Sequence, residues 1–291
     1  MAGAHTVSLW ILFAIDILWN MGKIMVKLRL VSSLIFMLSL GVGAQVSGNK
    51  PNPASKVSLC RKAAEQGDAI AQNNLGRIYY NGEGVAKDWV KAMNWFRKAA
   101  EQGYADAQHN LGFMYSNGEG VAKDSVKAVN WFRKAAEQGV AVAQDSLGYM
   151  YSNGEGVAKD SAEAVNWYRK AAEQGLAAAQ NNLGLMYSNG EGVAKDWPEA
   201  VNWFRKAAEQ GLATAQYDLG VMYFSGEGVA KDWAEAMNWY RKAAEQGLAP
   251  AQCHLGVMYY NGEGVAKDPG EAMKWALTGW GNSRVLRMMG W

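Results

Sequence analysis

The sequence predicts an all-α chain built as a stacked array of helix–turn–helix units. Gly-Glu-Gly-Val-Ala-Lys-Asp recurs six times, from Gly82, Gly118, Gly154, Gly190, Gly226 and Gly262, always 36 residues apart and without insertion. A fixed period of roughly 20–50 residues marks identical supersecondary units stacked in a line. Between the copies, apolar residues follow the helical period. Such an array has no central cavity for an active site and offers a long regular surface instead. The pattern therefore favours binding over catalysis.

The unit that begins at Asp68 shows how each element arises. Ala71, Leu75, Ile78 and Tyr79 fall at helical spacing, and Gly82 and Gly84 close the segment. This predicts a first helix, A, over about 68–81. Ala92, Trp95, Phe96 and Ala99 repeat the pattern and predict a second helix, B, from Asp88 to Gln102, with Gly103 just past its end. Asp88 is placed to cap helix B, because its carboxylate can accept from amides of the first turn that have no helical partner. In four later units Glu stands three residues on, at Glu163, Glu199, Glu235 and Glu271, a capping-box-like pairing. Lys91 and Lys127 stand there in the first two units. Pro198 and Pro269 fall in first turns, where the missing amide proton matters little. Gly76 and its equivalents at 112, 148, 184, 220 and 256 interrupt helix A. A mid-helix Gly costs about 1 kcal/mol relative to Ala, so close approach of a neighbouring helix is expected there, with Ala92 and Ala99 flanking bulky Trp95 as the complement. Trp95, Trp131, Trp167, Trp203, Trp239 and Trp275 form a ladder at the same period, read as a packing spine.

These residues resemble a known family. Ala-x-x-x-Leu-Gly-x-x-Tyr, then Gly-x-Gly-Val-x-x-Asp, then Ala-x-x-Trp-[Phe/Tyr]-x-Lys-Ala-Ala-x-x-Gly is similar to the Sel-1-like repeat, a relative of the tetratricopeptide repeat. The resemblance covers about residues 57–278. It implies a right-handed α-solenoid whose A helices line the concave surface, and a habit of mediating protein–protein contacts.

The ends depart from the pattern. Residues 57–67 read as a lone helix B with Leu59 at the Trp position and Cys60 at the Phe position, a half-unit cap. After Trp275 the repeat dissolves, and residues 279–291 form a divergent tail with Leu286, Met288, Met289 and Trp291. Residues 1–44 lie outside the array. Lys23, Lys27 and Arg29 precede an apolar run, Leu30 to Ala44, that ends in small residues before Gln45. That is the plan of a secretory signal peptide cleaved after Ala44, with Met21 or Met25 as the functional start; an uncleaved signal anchor is the rival. Residues 45–56 read as a flexible linker. The protein is therefore expected to be periplasmic or secreted.

The chain has 29 basic and 27 acidic residues; removing the leader's three basic and one acidic leaves 26 of each. A neutral array with interspersed charges lacks the basic stripe that nucleic-acid binding needs. Cys60 and Cys253 lie more than five units apart, beyond disulfide reach. The cysteine-rich branch of the resembled family staples its units with disulfides, and its cell-envelope, β-lactam- or peptidoglycan-active enzymes are the alternative that the resemblance implies. Little in the sequence supports it. His109 and His254 are four units apart, and the adjacent Cys253 and His254 point about 100° apart on a helix. Ser47-x-x-Lys50 falls in the linker. No catalytic constellation, metal site or cofactor is expected.

The candidate site comes from what varies. Within helix A the copies differ at positions 70, 73, 74, 77 and 80 of the first unit and at their equivalents, an arc of about 120°. If the A helices line the concave surface, these positions form one strip. It runs through Asn73, Asn74, Arg77, Tyr80, His109, Asn110, Phe113, Asp145 and Tyr149. It continues through Asn181, Asn182, Leu185, Tyr217, Asp218, Phe224, Cys253, His254, Val257 and Tyr260. Aromatics, Asn and Arg in a groove suit a protein or peptide partner. The bland alternatives are drift on an exposed face and a purely structural spacer.

Overall fold

A computed structural model of the chain describes residues 53–280. The expected leader, cleavage site and most of the tail lie outside these residues. Thirteen helices and no strand occur among the described residues. The first is α1 (Pro53–Glu65). Six A helices follow, α2 (Ala69–Asn81), α4 (Ala105–Asn117), α6 (Ala141–Asn153), α8 (Ala177–Asn189), α10 (Ala213–Ser225) and α12 (Ala249–Asn261). They alternate with six B helices, α3 (Trp89–Glu101), α5 (Ser125–Glu137), α7 (Ser161–Glu173), α9 (Trp197–Glu209), α11 (Trp233–Glu245) and α13 (Pro269–Trp280). The array lies in the unit of the chain that begins at Cys60. Each A helix packs on the B helix of its own unit, and each B helix packs on the next A helix. The fold is the expected right-handed α-solenoid. Pro53 to Lys56, read from the sequence as linker, belong to α1.

Caps set the boundaries. The Asp88 carboxylate accepts from the Lys91 amide at 2.9 Å, and Asp160 accepts from the Glu163 amide at 3.0 Å. Each A helix ends on a left-handed Gly. Gly82 has φ +79°, and the Gly82 and Glu83 amides both donate to the Ile78 carbonyl, at 2.9 and 3.0 Å. A residue with a Cβ disfavours that conformation. The capping box does not close. The Asp160 amide already donates to the Tyr151 carbonyl at 2.9 Å. Glu163 Oε1 instead accepts from the Trp167 indole N–H at 2.8 Å.

The mid-helix glycines answer to close packing, as expected, but to a different ring. A Cβ on Gly76 would lie 2.6 Å from the Phe96 ring, and one on Gly148 would lie 2.8 Å from the Tyr168 ring. The interlocking aromatic is therefore the residue after Trp. Phe96 is buried, while Trp95 is only half-buried. The Trp ladder packs between units. Trp203 joins a cluster with Tyr168 of the preceding B helix and Leu183 of its own unit's A helix. Lys206 Nζ covers its ring at 3.8 Å, and Lys98 covers Trp95 at 4.3 Å. Such ammonium–ring contacts favour the helical geometry modestly.

Further contacts tie one unit to the next. Arg133 donates to the Tyr151 hydroxyl at 3.0 Å and Arg169 to Tyr187 at 3.0 Å. The buried Gln108 amide donates to the Ala100 carbonyl at 3.2 Å and accepts from Gln138 at 2.7 Å. A Cβ on Gly120 would sit 2.6 Å from the Trp89 carbonyl oxygen, so the Gly-Glu-Gly loop of one unit rests on the backbone that opens the preceding B helix. Arg97 and Lys98 also make defined contacts, Arg97 with the Tyr115 hydroxyl at 3.4 Å and Lys98 with the Trp95 ring.

Candidate functional site

Five positions of each A helix vary, and the structure separates them by role. The positions equivalent to 73 and 74 form rungs between successive A helices. Asn110 Nδ2 donates to Asn73 Oδ1 at 2.9 Å, and Asn182 Nδ2 donates to Asp145 Oδ1 at 2.9 Å. Asn181 bonds Asp218 in the same register. At the next rung Tyr217 meets His254 edge to face, ring centroids 5.4 Å apart, with Tyr240 stacked 5.0 Å from the same imidazole. His254 Nδ1 lies 2.9 Å from the Pro250 carbonyl. His109 packs 5.6 Å from the Phe132 ring.

Burial follows from these pairings. Asn73, Asn181 and Cys253 are 4%, 7% and 8% exposed, so they face the neighbouring helices and not an open groove. His109, Asn110, Asp145, Asn182, Tyr217, Asp218 and His254 are half-buried. Burial pushes the Asp145 carboxyl and the Cys253 thiol up and the His109 imidazole down. Asp218 is raised to about 6 by burial, with the Asn181 bond opposing. Every shift favours a neutral side chain. A raised, buried thiol is a poor nucleophile, and the neighbouring His254 sets its Nδ1 against the Pro250 carbonyl.

The positions equivalent to 77 face outward in five units, while Val221 is half-buried against the neighbouring clusters. Arg77, Phe113, Tyr149, Leu185, Val221 and Val257 form one row across six successive A helices. Phe113, Tyr149, Leu185 and Val257 are 41%, 50%, 37% and 47% exposed, a run of apolar side chains left open to solvent. Arg77 is the one cation on any A helix, and it makes no hydrogen bond or ion pair among the described residues. Asn74, exposed, lies beside it. Ile70 and Val142, also exposed, widen the row; they were missed because no residue at that position was singled out from the varying set.

The positions equivalent to 80 belong to the edge where helix B begins. Tyr80 stacks 6.4 Å from Trp89, and its hydroxyl donates to Glu119 Oε2 at 2.7 Å. Phe224 lies 6.5 Å from Trp233. Lys87 and Lys231 cover those two indoles at 4.4 and 4.7 Å. Tyr260, in the last unit, is exposed. Trp89 and Trp233 were not expected in this setting; their signal is that the first residue of helix B is Trp at 89, 197 and 233 but Ser at 125 and 161 and Pro at 269. Among the described residues no group of three His, Cys, Asp or Glu could hold a metal ion, and no helix is long and apolar enough to cross a membrane.

The Sel1 repeat model matches this chain at 57–68, 69–104, 105–140, 141–176, 177–212, 213–248 and 249–278. The chain belongs to the Sel1 repeat family. Among solved structures it is similar to a protective antigen of uropathogenic Escherichia coli strains that displays this fold. The identity is 44% and the TM-score 0.75, over 80% of this chain and 50% of that one. It is also similar to a Sel1 repeat protein from Oxalobacter formigenes, 36% identical with TM-score 0.70, over 80% of this chain and 99% of that one. The chain spans half the length of the E. coli antigen. No curated protein matches it. Sel1 arrays are typically non-enzymatic scaffolds, and the fold commonly mediates protein–protein interaction.

Proposed function

We propose that this Sel1 array is a protein-interaction scaffold of a bacterial-type cell envelope, and that it binds a protein or peptide partner along the concave face lined by its A helices. One observation supports this above the others. Arg77, Phe113, Tyr149, Leu185 and Val257 stay open and largely apolar, while most residues at positions 73 and 74 of the units are engaged in rungs between A helices. An apolar strip of that length on a soluble surface marks an interaction site. The basic and apolar segment Lys23 to Ala44 supports export, and the similar E. coli chain is a protective antigen.

The test is site-specific photo-crosslinking in envelope preparations. Benzoylphenylalanine replaces Phe113 or Tyr149 on the A face, or Asn166, which is exposed on helix B of the third unit. The scaffold reading expects one shared adduct from positions 113 and 149 and none from 166. Adducts from 166 alone would move the site to the other face. Mass spectrometry of the exported protein should find Gln45 as its first residue; an intact Met1 would refute cleavage.

A further inference from the structure

The fifth unit holds a carboxylate that no cation of the array neutralises. Asp218 is half-buried, as are Tyr217 and His254 beside it, so all three keep part of their surface in solvent. The A helices that carry this notch, α8, α10 and α12, contain no Lys or Arg. Cations of the neighbouring B helices are engaged elsewhere. Arg205 donates to the Tyr223 hydroxyl at 3.2 Å and Arg241 to Tyr259 at 2.9 Å. Lys206 and Lys242 lie over the Trp203 and Trp239 rings, each at 3.8 Å.

Two polar atoms beside Asp218 have no partner, and both are oxygens. Asn181 donates its amide to the carboxylate and leaves Oδ1 buried without a donor. The Tyr240 hydroxyl, within electrostatic reach of Asp218 and Tyr217, is also buried and unpartnered. Asn181 is 7% exposed and Tyr240 0%, so water does not serve them. The third unit has the same plan with nothing left over. There Asn182 donates to Asp145 at 2.9 Å, and Ser152 bonds the Tyr168 hydroxyl.

A carboxylate drawn out of water calls for a counter-charge. Oxygen acceptors around it select a positive group that carries N–H donors. Tyr217, Tyr240 and His254 stack on one another with centroids 5.0 to 5.6 Å apart, and aromatic faces attract organic cations. A primary ammonium brings three rotatable donors on a thin apolar stem. Leu185 and Val257, exposed in the units on either side, suit apolar neighbours of such a side chain. Granted that the partner lies on the A face, we infer that this notch receives a lysine of the partner, its ammonium on the Asp218 carboxylate within the field of the Asn181 and Tyr240 oxygens.

The test uses the full chain and acetyl-Leu-Lys-Leu-amide, read by NMR titration. Acetyl-Leu-norleucine-Leu-amide is the uncharged isostere, and n-butylamine is the free amine. The lysine peptide should bind at one site per chain, about tenfold more tightly than either. Asp218 carries its charge only above about pH 6, so the affinity should fall about tenfold from pH 7.5 to pH 5. Four other titratable groups face it. Burial raises the Tyr217 and Tyr240 hydroxyls and the Cys253 thiol, which stay neutral over this range. The fourth is His254, and His254→Gln should keep the pH step, which assigns the step to the carboxylate. Asp218→Asn should lose both the preference for lysine and the pH step, with urea melts verifying its fold, while Asp145→Asn should lose neither. Equal binding of the lysine and norleucine peptides, no loss of affinity in acid, or full binding by Asp218→Asn would overturn the inference. Butylamine bound as tightly as the lysine peptide would overturn it in favour of a free amine. If crosslinks at 113 and 149 persist while the lysine peptide fails, the scaffold reading stands and only this site falls.

Discussion

Replacing Asp218 by Asn should stabilise the array at neutral pH and leave it unchanged in acid. Asp218 is held between α8 and α10, where burial raises its carboxyl from 3.8 to about 6 against the opposing Asn181 bond. Below about pH 4 the folded and unfolded chains both carry the proton. Between about 4 and 6 only the folded chain keeps it, so unfolding releases a proton and stability falls as pH rises through that window. Above about 6 the penalty is complete. Two pKa units correspond to about 3 kcal/mol at most, and partial exposure of the side chain reduces this. A second contribution comes from Asn181. Its Oδ1 is buried without a partner. With Asn at 218, the pair can adopt the arrangement of Asn110 and Asn73, where Nδ2 of the later residue donates to Oδ1 of the earlier one. In acid the protonated Asp218 carboxyl can donate to the same oxygen, so this bond, worth about 1 kcal/mol, is a gain only at neutral pH. Asp218→Asn should therefore gain about 1–3 kcal/mol at pH 7.5 and nothing near pH 4. Repeat arrays unfold unit by unit, so the assay is amide hydrogen exchange across α8 to α11 at both pH values, with urea melts alongside. A gain that is the same at both pH values, or a loss at pH 7.5, would refute the reasoning.

Six further substitutions test the packing. Tyr240 has a buried hydroxyl without a partner because Phe224 stands where Ser152 serves Tyr168; Tyr240→Phe should stabilise by up to about 1–2 kcal/mol in urea melts, while Tyr168→Phe should cost about 1. Gly148→Ala drives a methyl into the Tyr168 ring and should cost about 1–3 kcal/mol, seen as faster exchange in α6 and α7. Gly192→Ala combines φ +69° with overlap on the Ser161 carbonyl, so it should weaken protection on both sides of the junction between the third and fourth units. Trp203→Ala, at a nearly buried site, should cost about 3–5 kcal/mol by calorimetry, and Trp95→Ala, half-exposed, distinctly less.

What the sequence revealed and what it concealed divide along one physical line. Features decided within one unit were legible. The Asp caps, the left-handed glycines and both helix spans follow from local chemistry, and they fall within a residue of their expected ends. The exposed places at 77, 113, 149, 185 and 257 follow from the arc of one helix. Features decided between units were hidden. Asn73 looks like a solvent-facing polar residue until Asn110, 37 positions later, closes over it. Arg97 looks free until Tyr115 is found against it. Trp95 and Phe96 both lie near the inward arc, and helical periodicity cannot decide which of two neighbours a glycine admits. Near-identity among the copies added to the difficulty, because recent duplication keeps residues constant with or without a contact.

The inter-unit contacts have a direction, and the two terminal helices reflect it. Each B helix has one residue that reaches forward, the Arg that donates to the next unit's Tyr, and one that packs backward, the Trp. At the amino end α1 retains Arg61, which donates to Tyr79 at 2.9 Å, but has Leu59 in place of Trp, 62% exposed. At the carboxyl end α13 retains Trp275, packed against the cluster of the fifth unit, but has Leu277 in place of Arg. Each terminal helix thus keeps the residue that faces the array and lacks the one that would face away from it. Only the outward member is substituted at each end, so every inward inter-unit contact of the array keeps its residue.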